Sequence, residues 1–446
     1  MTDRSQLIRT RAGLQLLICI HILACCVSLI YVSKFYPDYH IHFQPAGLPG
    51  LVAIIAAFAL VSVVFVYAEF SFGYLVGFHF YIMVTGYLWL NWFSEFNYDH
   101  RLTGLSATAS AISFLVPALF IRSPLPQVWI PSPRTFDRFL DLILLVGALT
   151  VAIGATYNFK PVALGNDVYA FRGMLNFPTA LNYLLGITSN ALLPFAFACF
   201  IERKSLGRAA VVLILLLLFY PITLNKLALF SSAWIAGMAL LSRILSIRIA
   251  VVLPLLVLLL IGIVAAALYL GGAIPENAAI PYFWLINFRM LTIPSMAMDY
   301  YNDFFSRNDL THFCQIRLLK PLIDCPYREQ LGLAIYKDFG IGGNFNASLF
   351  ATEGIASVGA LWAPVAVFAC GLVIAMGNRL SAGLPARFVF ISAAIFPQIL
   401  LNVPLTVTLL THGAAFLFLL WYITPRTMFE PLASRAVDKA KSTSTA

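Results

Sequence analysis

The sequence predicts an all-α, polytopic integral membrane protein with about twelve transmembrane helices and one large polar loop. Three observations predict it. Hydrophobic residues fill 61% of the 446 positions and charged residues only 11%, about half the charged share of a soluble domain. The mean hydropathy is +0.88. Apolar stretches long enough to cross a bilayer, which takes about 20 residues, recur along the whole chain. The net charge is +9, but its basic residues are scattered between the apolar stretches with no dense Lys/Arg cluster. They read as topology-setting charge and not as a nucleic-acid surface.

The first element follows Arg4, Arg9 and Arg11 and runs from Leu14 to Ser33. It is too long for a secretory h-region and lacks a small-x-small cleavage site. Leu23 also spoils a lipobox at Ala24-Cys25, so an uncleaved first span is expected. Further spans are expected at 48–68, 71–92, 104–121, 139–157, 181–201, 209–224, 227–242, 249–271, 354–377, 387–402 and 404–424. Two of these boundaries need breaks inside apolar sequence: a turn over Pro221 to Lys226, and Asn402-Val-Pro404 within an uncharged stretch. Charge bias favours both. With the N-terminus inside, cytoplasmic segments hold 17 of the 28 Lys and Arg residues, short outer loops five and the long loop six. Removing either break inverts everything after it.

The chain therefore divides into a nine-helix region (1–271), a large periplasmic loop with interfacial helices (272–353), a three-helix region (354–424) and a cytoplasmic tail (425–446). No internal repeat is evident. A loop that long is usually functional. Within it, Ile280 to Met298 is apolar apart from Arg289 and contains two prolines, which suits a helix lying at the interface or dipping in. Five cysteines (Cys19, Cys25, Cys26, Cys199 and Cys370) fall in apolar spans, whereas Cys314 and Cys325 share the polar loop and form a candidate disulfide in an oxidising compartment.

Candidate chemistry gathers on the outer side. Arg289 stands alone in Asn287-Phe-Arg-Met-Leu-Thr-Ile-Pro294. An arginine there is expensive unless it meets an anion, and its planar fork suits a phosphate or diphosphate; the alternative is snorkelling to headgroups. Arg172, in Asp167-Val-Tyr169-Ala-Phe-Arg172, and Lys226, in the turn Thr223-Leu-Asn225-Lys226, are two further cations. Each has a plain reading as a loop ion pair or a turn anchor. Asp299 and Asp303 share a helical face at i, i+4, as a divalent-ion pair, a hydroxyl activator or simply a solvated acidic face. Glu353, after Gly342-Gly-Asn344-Phe-Asn346, is a candidate general base, and Asn344 and Asn346 are candidate sugar ligands. His40 and His42 lack a convincing third metal ligand, and His312 is an isolated base candidate. There is no nucleophile elbow, HExxH, Walker A or dinucleotide fingerprint, so no metal or cofactor is expected and the energy does not come from ATP bound by this chain.

The run Asn287-Phe-Arg289, Pro294, Asp299-Tyr300-Tyr-Asn-Asp303-Phe-Phe305, then Asn344-Phe-Asn346 and Glu353-Gly-Ile-Ala-Ser-Val-Gly359, resembles the outer-loop region of Wzy-type O-antigen polymerases. Tyr169-Ala-Phe-Arg172 and Asn225-Lys226 are similar to that family's preceding loop and lysine-bearing turn, although a small residue often stands where Asn225 does. The resemblance covers about sixty positions at residue level and nearly the whole chain in architecture. It implies an inverting, metal-independent glycosyltransferase of GT-C-like architecture in the bacterial inner membrane; the charge bias already places both termini in the cytoplasm. Its substrates would be glycans on undecaprenyl diphosphate, and its partners the bilayer and, in such systems, chain-length regulators and flippases. It also implies roles: Arg289, Arg172 and Lys226 on the leaving diphosphate, Glu353 or an Asp299/Asp303 carboxylate as base, and Tyr169, Tyr300, Asn344 and Asn346 on substrate. O-antigen ligase is the nearest enzyme rival. A lipid-linked oligosaccharide flippase or transporter is the non-enzyme rival, disfavoured because the predicted spans carry almost no charge.

Overall fold

The computed structural model describes residues 2–161, 171, 175–316, 319, 321–340 and 347–429, with backbone alone for 2–10. Among these residues every regular element is helical. Ten helices are long and apolar enough to cross a membrane: Arg11–Phe35, Pro45–Tyr67, Phe72–Phe93, His100–Phe120, Pro133–Tyr157, Thr179–Glu202, Leu206–Thr223, Lys226–Ile244, Ile247–Leu270 and Phe350–Ser381. The chain is a multi-pass, all-α membrane protein. The turn at 224–225 is present, with Leu224 in the left-handed region.

The twelve-span expectation differs from the structure at the C-terminal end. The sequence 386–423 forms four short pieces, Ala386–Ser392, Phe396–Leu400, Leu405–Leu410 and Ala414–Ile423. The expected break at Asn402-Val-Pro404 is present, but turns at 393–395 and 411–413 interrupt the helices too. The second of these ends on Gly413 at φ +82°, a conformation that suits glycine, immediately before the Ala414–Ile423 helix. Hydropathy alone cannot see such interruptions, because the whole stretch from 388 to 425 carries no Asp, Glu, Lys or Arg to mark them.

The chain folds as two compact units. The first comprises residues 1–121, 245–375 and 397–406. Its helices alternate in direction: Phe35 meets Tyr269 at the C-terminal ends of the first and ninth spans, while Arg248 at the N-terminal end of the ninth donates to Val66 O. The Phe72–Phe93 helix is the hub, buried along nearly its whole length. After the Ile247–Leu270 span the chain makes a short turn at 271–275. It doubles back as a continuous helix over 276–307, whose middle, Trp284–Thr292, is π-helical. That helix dips between the spans, with Asn287 donating to Ser28 Oγ and Leu259 O and Ser295 donating to Met83 O. Glycine permits the approach. A Cβ on Gly262 would lie 1.8 Å from Asn287 Oδ1, and one on Gly86 2.5 Å from Ser295 Oγ.

A second dip follows. Phe114 meets both Phe350 and the glycine at 371, while Ser106, two helical turns away, donates to Ala360 O. The segment 350–358 therefore climbs, and the chain turns back at Gly359 (φ +75°, ψ +167°). Its first turns, Phe350–Ala356, are again π-helical.

The second unit comprises residues 122–244, 376–396 and 407–446. Arg203 pairs with Asp137, Arg208 with Asp141 and Arg387 with Glu202. Asn158 donates to the Pro221 and Ile222 carbonyls, which the proline-containing end of Leu206–Thr223 leaves without helical donors.

Candidate functional site

The first unit holds Arg289, Asp299, Tyr300, Asp303 and Glu353, and the structure assigns them different situations. Arg289 sits in the π-helical stretch Trp284–Thr292. Pro281 and Pro294 flank that stretch and cannot donate to the carbonyls four residues before them, which favours a register shift. Thr292 Oγ1 then donates to Asn287 O, five residues back, at 2.8 Å. Next to Arg289, Phe288 stacks on Tyr36 with 4.3 Å between centroids, just past the end of the first span. Arg289 is half-buried and has no hydrogen-bond or ion-pair partner among the described residues.

The carboxylates of the same helix are the opposite case. Asp299 accepts from Tyr98 Oη and, at 3.0 Å, from Ser94 Oγ. Asp303 accepts from the Asn97 N–H at 3.2 Å and from Arg307 at 3.1 Å. The two acids share a face as expected, but that face is buried against the 94–99 connection, at 3% and 6% exposure. It is not solvated. Burial pushes the Asp299 carboxyl up to about 7, against the lowering effect of its Tyr98 and Ser94 donors. Both carboxylates accept hydrogen bonds from that connection and so fasten it to the helix. No group of three or more metal-ligating side chains occurs among the described residues.

Tyr300, expected to meet substrate, is fully buried. It donates to Tyr39 O at 3.0 Å, and its ring stands edge-on to Phe96 and Phe339. It too supports the fold.

Glu353 lies in the second π-helical stretch, 6% exposed. It accepts from Thr352 Oγ1 and, at 3.3 Å, from the Thr406 N–H. The stretch packs on the 276–307 helix, where Tyr301 is close enough to feel the Glu353 charge. Ser357 Oγ donates to Thr352 O, five residues back, at 2.8 Å. The two π-helical segments of the first unit thus carry Arg289 and Glu353, each closed by a hydroxyl reaching its i−5 carbonyl. Extra helical residues of this kind collect at functional sites. The sequence trace of this device, Asn287…Thr292 and Thr352…Ser357, is visible only once the register is known.

Cys314 and Cys325 form a disulfide. Tyr327 Oη donates to Asp309 O nearby. Lys226 opens the Lys226–Ile244 helix of the second unit, where Asn225 Oδ1 accepts from the Leu227 N–H at 3.1 Å. Arg172, Tyr169, Asn344 and Asn346 lie outside the described residues. His42 pairs with Glu95 at 3.3 Å, a partner the sequence reading did not consider.

No family model, no curated protein and no solved structure matches this chain.

Proposed function

We propose that the protein is an inverting membrane glycosyltransferase that polymerises undecaprenyl-diphosphate-linked repeat units into a surface polysaccharide. The observation that carries this reading is an arginine without a partner among the described residues: Arg289 is held half-buried on a π-helical turn that dips between spans. A permanent cation so placed is costly without an anion, and a guanidinium fork matches a diphosphate. The likeness to Wzy-type polymerases in the residues around Arg289, Asp299 and Glu353 supplies the substrate class.

In the proposed reaction the acceptor hydroxyl oxygen attacks the anomeric carbon. A new C–O bond forms as the bond to the lipid diphosphate breaks, with inversion, and the hydroxyl proton passes to the Glu353 carboxylate. The departing diphosphate gains negative charge in the transition state, where a fixed cation contributes most. Arg172 and Lys226 are proposed as further contacts to it, with Asn344, Asn346 and Tyr169 on the sugars. The proposed setting is the bacterial inner membrane with both termini cytoplasmic, beside chain-length regulator and flippase proteins.

The test is deletion of the gene in its host, complementation with wild type or Arg289→Ala, and electrophoresis of surface polysaccharide. Lipid capped with single repeat units in the deletion strain and in the Arg289→Ala strain supports the polymerase. A lipid core bare of glycan would indicate ligase or flippase instead.

A further inference from the structure

Within the first unit, below the π-helical turn, lies a cavity of about 60 Å³ lined by His21, His79, Met83, Met290, Gln398 and a remainder of aliphatic side chains. One water needs roughly 15 Å³ on this measure, so there is room for about four. A cavity with wholly aliphatic walls of this size stays dry. These walls are not wholly aliphatic. His21, in the middle of the first span and 2% exposed, has its Nδ1 buried without a hydrogen-bond partner. His79, in the Phe72–Phe93 helix, has Nδ1 2.9 Å from Leu75 O. Nδ1 is therefore the donor and the ring's other nitrogen keeps a free lone pair. The Gln398 amide supplies both donor and acceptor capacity.

We propose that this cavity is a water-binding site inside the membrane-spanning part of the first unit, with the lone pair of His79, the unpartnered Nδ1 of His21 and the Gln398 amide as its anchors. Unpartnered polar nitrogens in an apolar interior have no substitute partner from lipid, and a water, which both donates and accepts, can reach several of them at once. Two imidazoles make a poor metal site without a third strong ligand, and none is among the described residues. Ile286, Met290 and Leu291 of the π-helical stretch form part of the wall. The bound water thus rests against the turn that carries Arg289, whatever reaction that residue serves.

Radiolytic footprinting of the full chain in detergent tests this, because hydroxyl radicals born from bound water oxidise adjacent methionines. Met83 lines the cavity and Met296 does not, yet both are 1% exposed. Met83 is expected to oxidise at least tenfold faster than Met296 in the wild type, and to fall to the Met296 rate in the His21→Leu/His79→Leu variant. Equal rates in the wild type overturn the proposal. So does a fast Met83 that ignores removal of both imidazoles. Should the double variant fail to fold, Gln398→Leu takes its place, with a several-fold slowing expected and an unchanged rate overturning it.

Discussion

Arg289 and the Asp299/Asp303 pair lie on one continuous helix of one folding unit, yet they are treated oppositely. The aspartates are buried and every side of them is engaged, by Tyr98, Ser94, Asn97 and Arg307. The arginine is half-buried and engages nothing among the described residues. Titratable groups in a cleft invite a catalytic reading. Here the difference teaches that satisfied groups hold the scaffold, while the unsatisfied one has its binding capacity left over. Glu353 falls between: two donors meet it, from Thr352 and Thr406, yet it sits on a π-helical segment like the arginine.

The largest expected effect is therefore at Arg289. Its change to alanine is expected to lower polymerisation by about 1,000-fold, the scale of a lost transition-state charge contact. Thermal unfolding in detergent should stay near wild type, because no described contact is removed. Arg289→Lys keeps the charge but loses the fork, and is expected to recover only a small part of the rate. Assay with a lipid-diphosphate substrate decides. Full activity of Arg289→Ala breaks the comparison at its stronger end.

Glu353→Gln is expected to slow turnover by about 100-fold, within the range for a lost general base. The glutamine is near-isosteric and its carbonyl oxygen still accepts one of the two hydrogen bonds. The fold should survive, and KM should change less than kcat. A variant that loses stability and activity in parallel would move Glu353 into the scaffold class with the aspartates.

Asp299→Asn is expected to leave the rate within a few-fold while altering stability. The folded-state carboxyl is raised to about 7, against about 3.9 in the unfolded chain. Between those values the folded state keeps a proton that the unfolded state has released, so stability falls as pH rises from about 4 to 7 and is level above. The slope is on the order of 1 kcal/mol per pH unit at most. Unfolding midpoints of wild type and Asp299→Asn compared at several pH values isolate this group. The asparagine protein gains relative to wild type as pH rises through the window. A constant difference would mean that Asp299 does not hold its proton.

Much of this scaffold is legible in the sequence, and the reasons differ by region. The spans are set by apolar length, and the turn before Lys226 by Pro221, Leu224 and Asn225 in sequence, so periodicity and charge bias suffice there. The 276–307 helix is only half legible. Its apolar run with two prolines announces a broken, dipping segment, but its continuity through Asp303 depends on tertiary partners from the 94–99 connection. Asp299 and Asp303 look like a solvated pair because nothing local reveals Tyr98 and Ser94, some 200 positions away. The π-helical register is less legible: Pro281 and Pro294 favour a shift, but the hydroxyls that close it, Thr292 and Ser357, are recognisable only in the fold. Arg289 stands out at both levels: a lone charge in apolar sequence and one without a partner among the described residues.

The smallest effects test the comparison within one side chain. Arg307 pairs with Asp303, whose side chain is 8% exposed, and with Asp338, whose side chain is 30% exposed. Arg307 itself is 46% exposed. An ion pair open to water contributes about 0.5 kcal/mol, so Asp338→Asn should shift unfolding by that little and weaken further in high salt. Arg307→Gln removes a donor from the buried acid as well, and is expected to cost about 1–3 kcal/mol, less what the Asn97 N–H retains. The ratio of the two losses is the measurement. If they are equal, burial of Asp303 does not set the strength of its contacts, and the distinction between engaged and unengaged charges on this helix loses its energetic basis.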